Sequence, residues 1–124
     1  MPKILVVDDD PCIRMLIQDV LDVEGYDVQA VPDGYAGLAA IDADKPDCVI
    51  LDCMMPGIDG HEVLKRIRAA EFGPELPVVM LTAAADDAQQ WQAWTEGVDY
   101  FLAKPFDAEE LIRYLAYLFE AAAV

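Results

Sequence analysis

Residues 48–67 read CVILDCMMPGIDGHEVLKRI, an apolar run closed by Asp52 and followed by Val63, Leu64 and Ile67 at helical spacing. Cys48 to Leu51 has the length of a strand and lacks polar residues at alternate positions, the pattern of a strand covered on both faces. The same kind of run recurs at Ile4 to Val7, Val78 to Leu81 and Tyr100 to Ala103. Tyr26 to Val31 is weaker and alternates, which suits an edge strand. Between the runs, apolar residues return at helical spacing: Ile13, Leu16, Ile17, Val20 and Leu21 early in the chain, and Leu111, Ile112, Leu115, Leu118 and Phe119 late in it. Pro11 and Gly25 bracket the first helix, Asp33 and Gly34 open the second, and Asp107 with Glu110 makes a capping-box-like start for the last. The second helix carries Gly37, and a glycine there costs about 1 kcal/mol relative to alanine. Strand and helix therefore alternate five times. Because crossovers are right-handed and apolar strands must be covered, this predicts an α/β fold: a five-stranded parallel sheet with helices on both faces.

A chain of 124 residues, 56% hydrophobic, is expected to form one domain over residues 1–124. No stretch reaches the ~18 to 20 consecutive apolar residues of a membrane span, and the opening MPKILVVDDD meets acid too early for a signal peptide. A soluble, cytoplasmic protein is expected. Twenty-four acidic against eight basic side chains give a net charge of -16, which repels phosphate backbones and anionic lipids. Neither nucleic acid nor a membrane surface is an expected direct partner. Cys12, Cys48 and Cys53 have neither CxxC spacing nor histidine partners in sequence and read as small core residues.

The polar residues that interrupt the apolar pattern fall at one end of the strands: Asp8 and Asp9 close the first, Asp52 the third, Thr82 the fourth and Lys104 the fifth. Open α/β sheets bind ligands at that carboxyl edge, where the winding direction reverses. Clustered carboxylates raise each other's pKa unless a cation neutralises them, and hard oxygen donors with room for water suit Mg²⁺. Each residue also has a plainer reading. Asp9 or Asp10 ahead of Pro11 is equally able to cap the first helix, Thr82 alone is an ordinary turn residue, and Lys104 alone is a solvated charge. Their joint placement argues for a site.

The segments ILVVDDD, VILDCMMPGIDG, VVMLTA and FLAKPF, in this order and at these spacings, resemble response-regulator receiver domains of two-component systems over essentially the whole chain. The resemblance implies a flavodoxin-like sheet of order 2-1-3-4-5, an order that the general rule for this fold already illustrates with a chemotaxis receiver. It implies that Asp52 accepts a phosphoryl group from a phosphohistidine on a sensor histidine kinase or histidine phosphotransfer protein. Asp8, Asp9, Asp52 and the backbone carbonyl of Met54 would hold Mg²⁺, and Lys104 would pair with a phosphoryl oxygen. Pro105 matches the family's cis-proline position. Thr82 and Phe101 would form the switch, Thr82 drawn to the phosphoryl group as the Phe101 ring turns inward. Such a domain catalyses only its own phosphorylation and dephosphorylation.

Met54 and Ala84 lie two residues after Asp52 and Thr82, where members of this family vary and polar side chains can position the attacking water, so the acyl phosphate is expected to be lost more slowly than with Met54→Asn or Ala84→Glu. Eight of the eleven aromatic residues lie from Trp91 onward. An output or homodimer surface is accordingly expected on the fourth helix, fifth strand and fifth helix, although Trp91 and Trp94 at helical spacing also suit a core. His61, the single histidine, is expected to be solvated or capping. Two other readings compete: an aspartyl-phosphate phosphatase of the haloacid dehalogenase type, whose general acid position is here Met54, and a binding-only pseudo-receiver. The chain reads either as a stand-alone receiver or as a piece of a longer regulator.

Overall fold

The computed structural model describes residues 2–70, 75–83, 97–104 and 106–123. In chain order the elements are β1 (Lys3–Val7), α1 (Pro11–Val23), β2 (Asp27–Val31), α2 (Gly34–Ala43), β3 (Cys48–Asp52), α3 (Gly60–Ala69), β4 (Val78–Ala83), β5 (Tyr100–Lys104) and a C-terminal helix (Ala108–Ala123). The strands form one parallel sheet in the order β2-β1-β3-β4-β5. The expected fourth helix falls on residues 84–96 and lies outside the described residues, as do Pro105, Ala84, Trp91 and Trp94. Among the described residues no helix is long and apolar enough to cross a membrane.

Helices cover both faces, as the unbroken apolar strands require. On one face Ile17 and Leu21 of α1 and Leu111 and Leu115 of the C-terminal helix pack on Ile4, Val6, Ile50 and Leu81. On the other, Ile41 of α2 and Val63, Leu64 and Ile67 of α3 pack on Leu5, Val7, Val49, Leu51 and Met80. Successive strand side chains point to opposite faces, so β1, β3 and β4 feed both cores. Each such side chain, fully buried, contributes roughly 1.5–3 kcal/mol. The fifth run is less enclosed than its composition suggested. β5 is an edge strand, and along it only Leu102 is buried while Ala103 is exposed.

Local signals largely set the helix starts. Asp33 and Asp59 cap α2 and α3 by accepting from Ala36 N at 2.8 Å and Glu62 N at 2.9 Å. At the last helix Asp107 Oδ1 accepts from Glu109 N at 2.9 Å, but the Glu110 carboxylate accepts from Tyr100 OH at 2.7 Å, so it secures the helix to β5. Gly37 has a packing reason: a Cβ there would stand 2.8 Å from Val7 Cγ2, so α2 lies closer to β1 than alanine permits. Of the three cysteines, Cys48 and Cys53 are buried as expected, but Cys12 is exposed, because it falls on the outer side of the first turn of α1.

Candidate functional site

The sheet order reverses between β1 and β3, whose neighbours lie on opposite sides, and the crevice beyond their carboxyl ends is where this kind of sheet binds ligands. Asp8 follows β1 directly and Asp52 is the last residue of β3. Across the sheet Asp52 pairs with Leu81, and Thr82 one step further on β4 pairs with Ala103, next to Lys104. The register alone thus brings Asp8, Asp52, Thr82 and Lys104 to one edge. Asp8, Asp52 and Thr82 are all buried, at 0%, 4% and 2% exposure, whereas Asp9 is exposed.

One carboxylate oxygen from each of Asp8, Asp9 and Asp52 lies within 4.8 Å of the other two. Lys104 Nζ stands 3.0 Å from Asp8 Oδ2 and 3.2 Å from Asp52 Oδ1, bridging the two buried acids. The bridge leaves three carboxylates facing one ammonium. Such an excess of hard oxygen donors fits a divalent cation, which is the arrangement Mg²⁺ takes from protein oxygens.

The electrostatics carry the same signature. Burial, then the Asp8 charge, push the Asp52 carboxyl up to about 6, and the attraction of Lys104 offsets them only in part, while a hydrogen bond with Asp9 adds to the rise. For Lys104 burial works against the ammonium, but the hydrogen bond to Asp8 and the charges of Asp52 and Asp8 prevail and hold its pKa above the lysine norm. Two buried acids against one base leave the site short of positive charge.

The three adjacent acids divide their work. Asp10 is the cap of α1, its Oδ1 accepting from Cys12 N at 2.9 Å. Asp8 Oδ1 accepts from Asp10 N at 2.9 Å, which aims its other oxygen inward. Asp9 has no part in the cap and remains for the site. Arg14, one turn into α1, donates to the Asp8 carbonyl at 2.7 Å. Composition gave no hint of Arg14, whose reach depends on how α1 leaves β1.

Met54 lies two residues past Asp52 and is 59% exposed. Phe101 pairs with Met80 in the sheet, half-buried against the α2 and α3 side, and does not join the carboxylates. His61 overturns its expectation. It is buried, with Nε2 3.0 Å from Cys53 Sγ, and Asp59 supplies the cap that His61 was assigned. Near the expected output surface, Tyr100 and Tyr114 stack with ring centroids 4.3 Å apart, while Tyr117 is exposed.

Residues 4–116 match the family model described as response regulator receiver domain. The DNA-binding dual master transcriptional regulator RpaA of Synechocystis is 43% identical over 112 residues, which are 90% of this chain and 46% of that protein. The response regulator MprA of Mycolicibacterium vanbaalenii is 41% identical, over 89% of this chain and 47% of its own length. The chain thus spans about half the length of these relatives. In structure it is similar to a putative response regulator from Chloroflexus aurantiacus, with a TM-score of 0.89, 34% identity, and 94% and 95% of the two chains covered. NtrX from Brucella abortus gives 0.89 at 35% identity, over 98% of this chain and 27% of that one. With the family model over most of its length and this sheet order, the chain belongs to the response-regulator receiver domains of two-component systems.

Proposed function

We propose that Asp52 is the phosphoacceptor of this receiver and that Asp8, Asp9, Asp52 and the Met54 carbonyl are its Mg²⁺ ligands. The observation that carries the reading is the buried Asp8–Lys104–Asp52 bridge, in which a single ammonium faces the Asp8, Asp9 and Asp52 carboxylates. A carboxylate oxygen of Asp52 attacks the phosphorus of a phosphohistidine. A P–O bond forms, the P–N bond breaks, and its electron pair returns to the imidazole of the donor. When bound, Mg²⁺ supplies positive charge beside the transferring phosphoryl oxygens, the largest contribution when little other bond chemistry is asked of the protein.

Lys104 is already poised between the two acids, so as phosphoryl oxygens replace the Asp52 charge its ammonium needs little movement to pair with them. Thr82 offers a hydroxyl from the neighbouring strand. Its movement toward the phosphoryl group, coupled to rotation of the half-buried Phe101 ring, converts the chemistry into a surface change, because these contacts exist in only one of the two states. The donor is a sensor histidine kinase or histidine phosphotransfer protein in the cytoplasm. The reader is a downstream protein or second copy at the face of β5 and the C-terminal helix, where Tyr117 is exposed. The chain acts catalytically only on its own phosphorylation and dephosphorylation.

Intact-mass analysis after exposure to a small-molecule phosphodonor tests this. With Mg²⁺ the chain should gain one phosphoryl group, absent with chelator and absent in Asp52→Ala. Label that survives Asp52→Ala, or catalytic turnover of phosphomonoesters in place of stoichiometric labelling, refutes it.

A further inference from the structure

We infer that His61 is a positioning residue for the phosphoacceptor, acting through Cys53. The inference rests on the reading of Asp52 given above. Cys53 follows Asp52 directly and is held from three directions. Its N–H donates to Leu81 O on β4 at 2.8 Å, its carbonyl accepts from Gly60 N at 3.0 Å, and its Sγ lies 3.0 Å from His61 Nε2. Gly60 permits the approach. A Cβ on it would stand 2.2 Å from Asp52 O and 2.9 Å from Cys53 Cα, so the first turn of α3 rests on the backbone that carries the acceptor.

The loop from Met54 to Asp59 is therefore closed at its base by one backbone bond and one side-chain bond, both joining the start of α3 to Cys53. Cys53 and His61 are both buried, so no solvent competes for their bond. The ring of His61 reports the position of α3 to the residue next to Asp52. Losing that bond lets Cys53 turn about its two backbone bonds, and with it the Asp52 carboxylate and the Met54 carbonyl. Mutating groups that orient a metal ligand from behind typically costs about 10–100-fold in metal affinity.

Calorimetric titration of Mg²⁺ into the full chain tests this, with unfolding midpoints measured on the same samples. His61→Phe keeps the ring volume without the bond, and Cys53→Ala removes the bond from the other side. Each should weaken Mg²⁺ binding about tenfold, and the double variant should be no weaker than either single one, because both remove the same bond. His61→Gln and Cys53→Ser, which can still bond, should bind within about twofold of wild type. A purely structural role would lower the unfolding midpoint and leave the Mg²⁺ affinity unchanged. That result, or full additivity in the double variant, overturns the inference. Failure of the wild-type chain to take label at Asp52 would overturn instead the reading of Asp52, whichever way the titrations fall.

Discussion

In metal-free protein at neutral pH, Asp52→Asn is expected to raise the stability of the fold. Asp52 is buried, faces the Asp8 charge, and shares the single ammonium of Lys104 with it. Its carboxyl is held at about 6 against an ordinary 3.8, so its ionised form costs the metal-free fold ~3 kcal/mol at neutral pH. Asparagine keeps the shape, removes the charge and leaves Lys104 to Asp8. The attraction of Lys104 is already contained in that shift; some of the gain is returned because the buried amide must itself be desolvated, and a net ~2 kcal/mol is expected, equivalent to a rise in unfolding temperature on the order of 8 °C for a domain of this size.

The sign follows from the direction of the shift. A carboxyl that binds its proton more tightly in the folded than in the unfolded chain favours the fold when protonated. Its contribution is complete below about pH 4 and lost as pH rises through about 6. Metal-free wild type should thus fall in stability across this interval relative to Asp52→Asn, and the difference between them should nearly vanish at about pH 4. Mg²⁺ should then close the gap from the other side at neutral pH. At a hundredfold excess over its dissociation constant it stabilises the binding form by ~2.7 kcal/mol and the non-binding variant hardly at all. Urea unfolding followed by far-ultraviolet circular dichroism, with chelator or Mg²⁺ at each pH, measures all of these differences. A variant no more stable than wild type at pH 7 without metal refutes the reasoning. So does equal stabilisation of both chains by Mg²⁺.

Asp10→Ala should cost about 1 kcal/mol through the lost cap and leave Mg²⁺ affinity unchanged. Asp9→Ala should do the reverse, keeping metal-free stability within about 0.5 kcal/mol while weakening Mg²⁺ binding, and calorimetry beside urea unfolding separates the two. Gly37→Ala should destabilise by about 1–2 kcal/mol, because the clash with Val7 exceeds the gain in helix propensity; equal or higher stability would show that α2 can move away from β1. Met54→Asn should speed loss of the acyl phosphate by at least about threefold, short of the ~100-fold of a positioned general base, as read from phosphate release after a phosphodonor pulse.

What sequence could and could not disclose here follows from the range over which each signal acts. Apolar runs report burial of their own residues, so β1, β3 and β4 were legible from Ile4, Cys48 and Val78 onward. The place of β5 at an edge came from the family resemblance, through the order 2-1-3-4-5, and not from its own apolar run, because sheet order is a relation among strands that no local period encodes. The site was legible because its acids break the pattern at strand ends, where a buried charge has no packing explanation. Dividing Asp8, Asp9 and Asp10 among buried acid, exposed acid and helix cap needed the turn out of β1, since all three carry the same carboxyl. Gly37 was read as a cost because propensity counts only its own backbone, while Val7, thirty residues earlier, makes it necessary. His61 shows the limit most clearly. Cys53 lies eight residues away, and only the close turn at Gly60 brings thiol and ring together. A histidine's role depends on which partner the fold brings to it, and at this position that partner is the residue that follows Asp52.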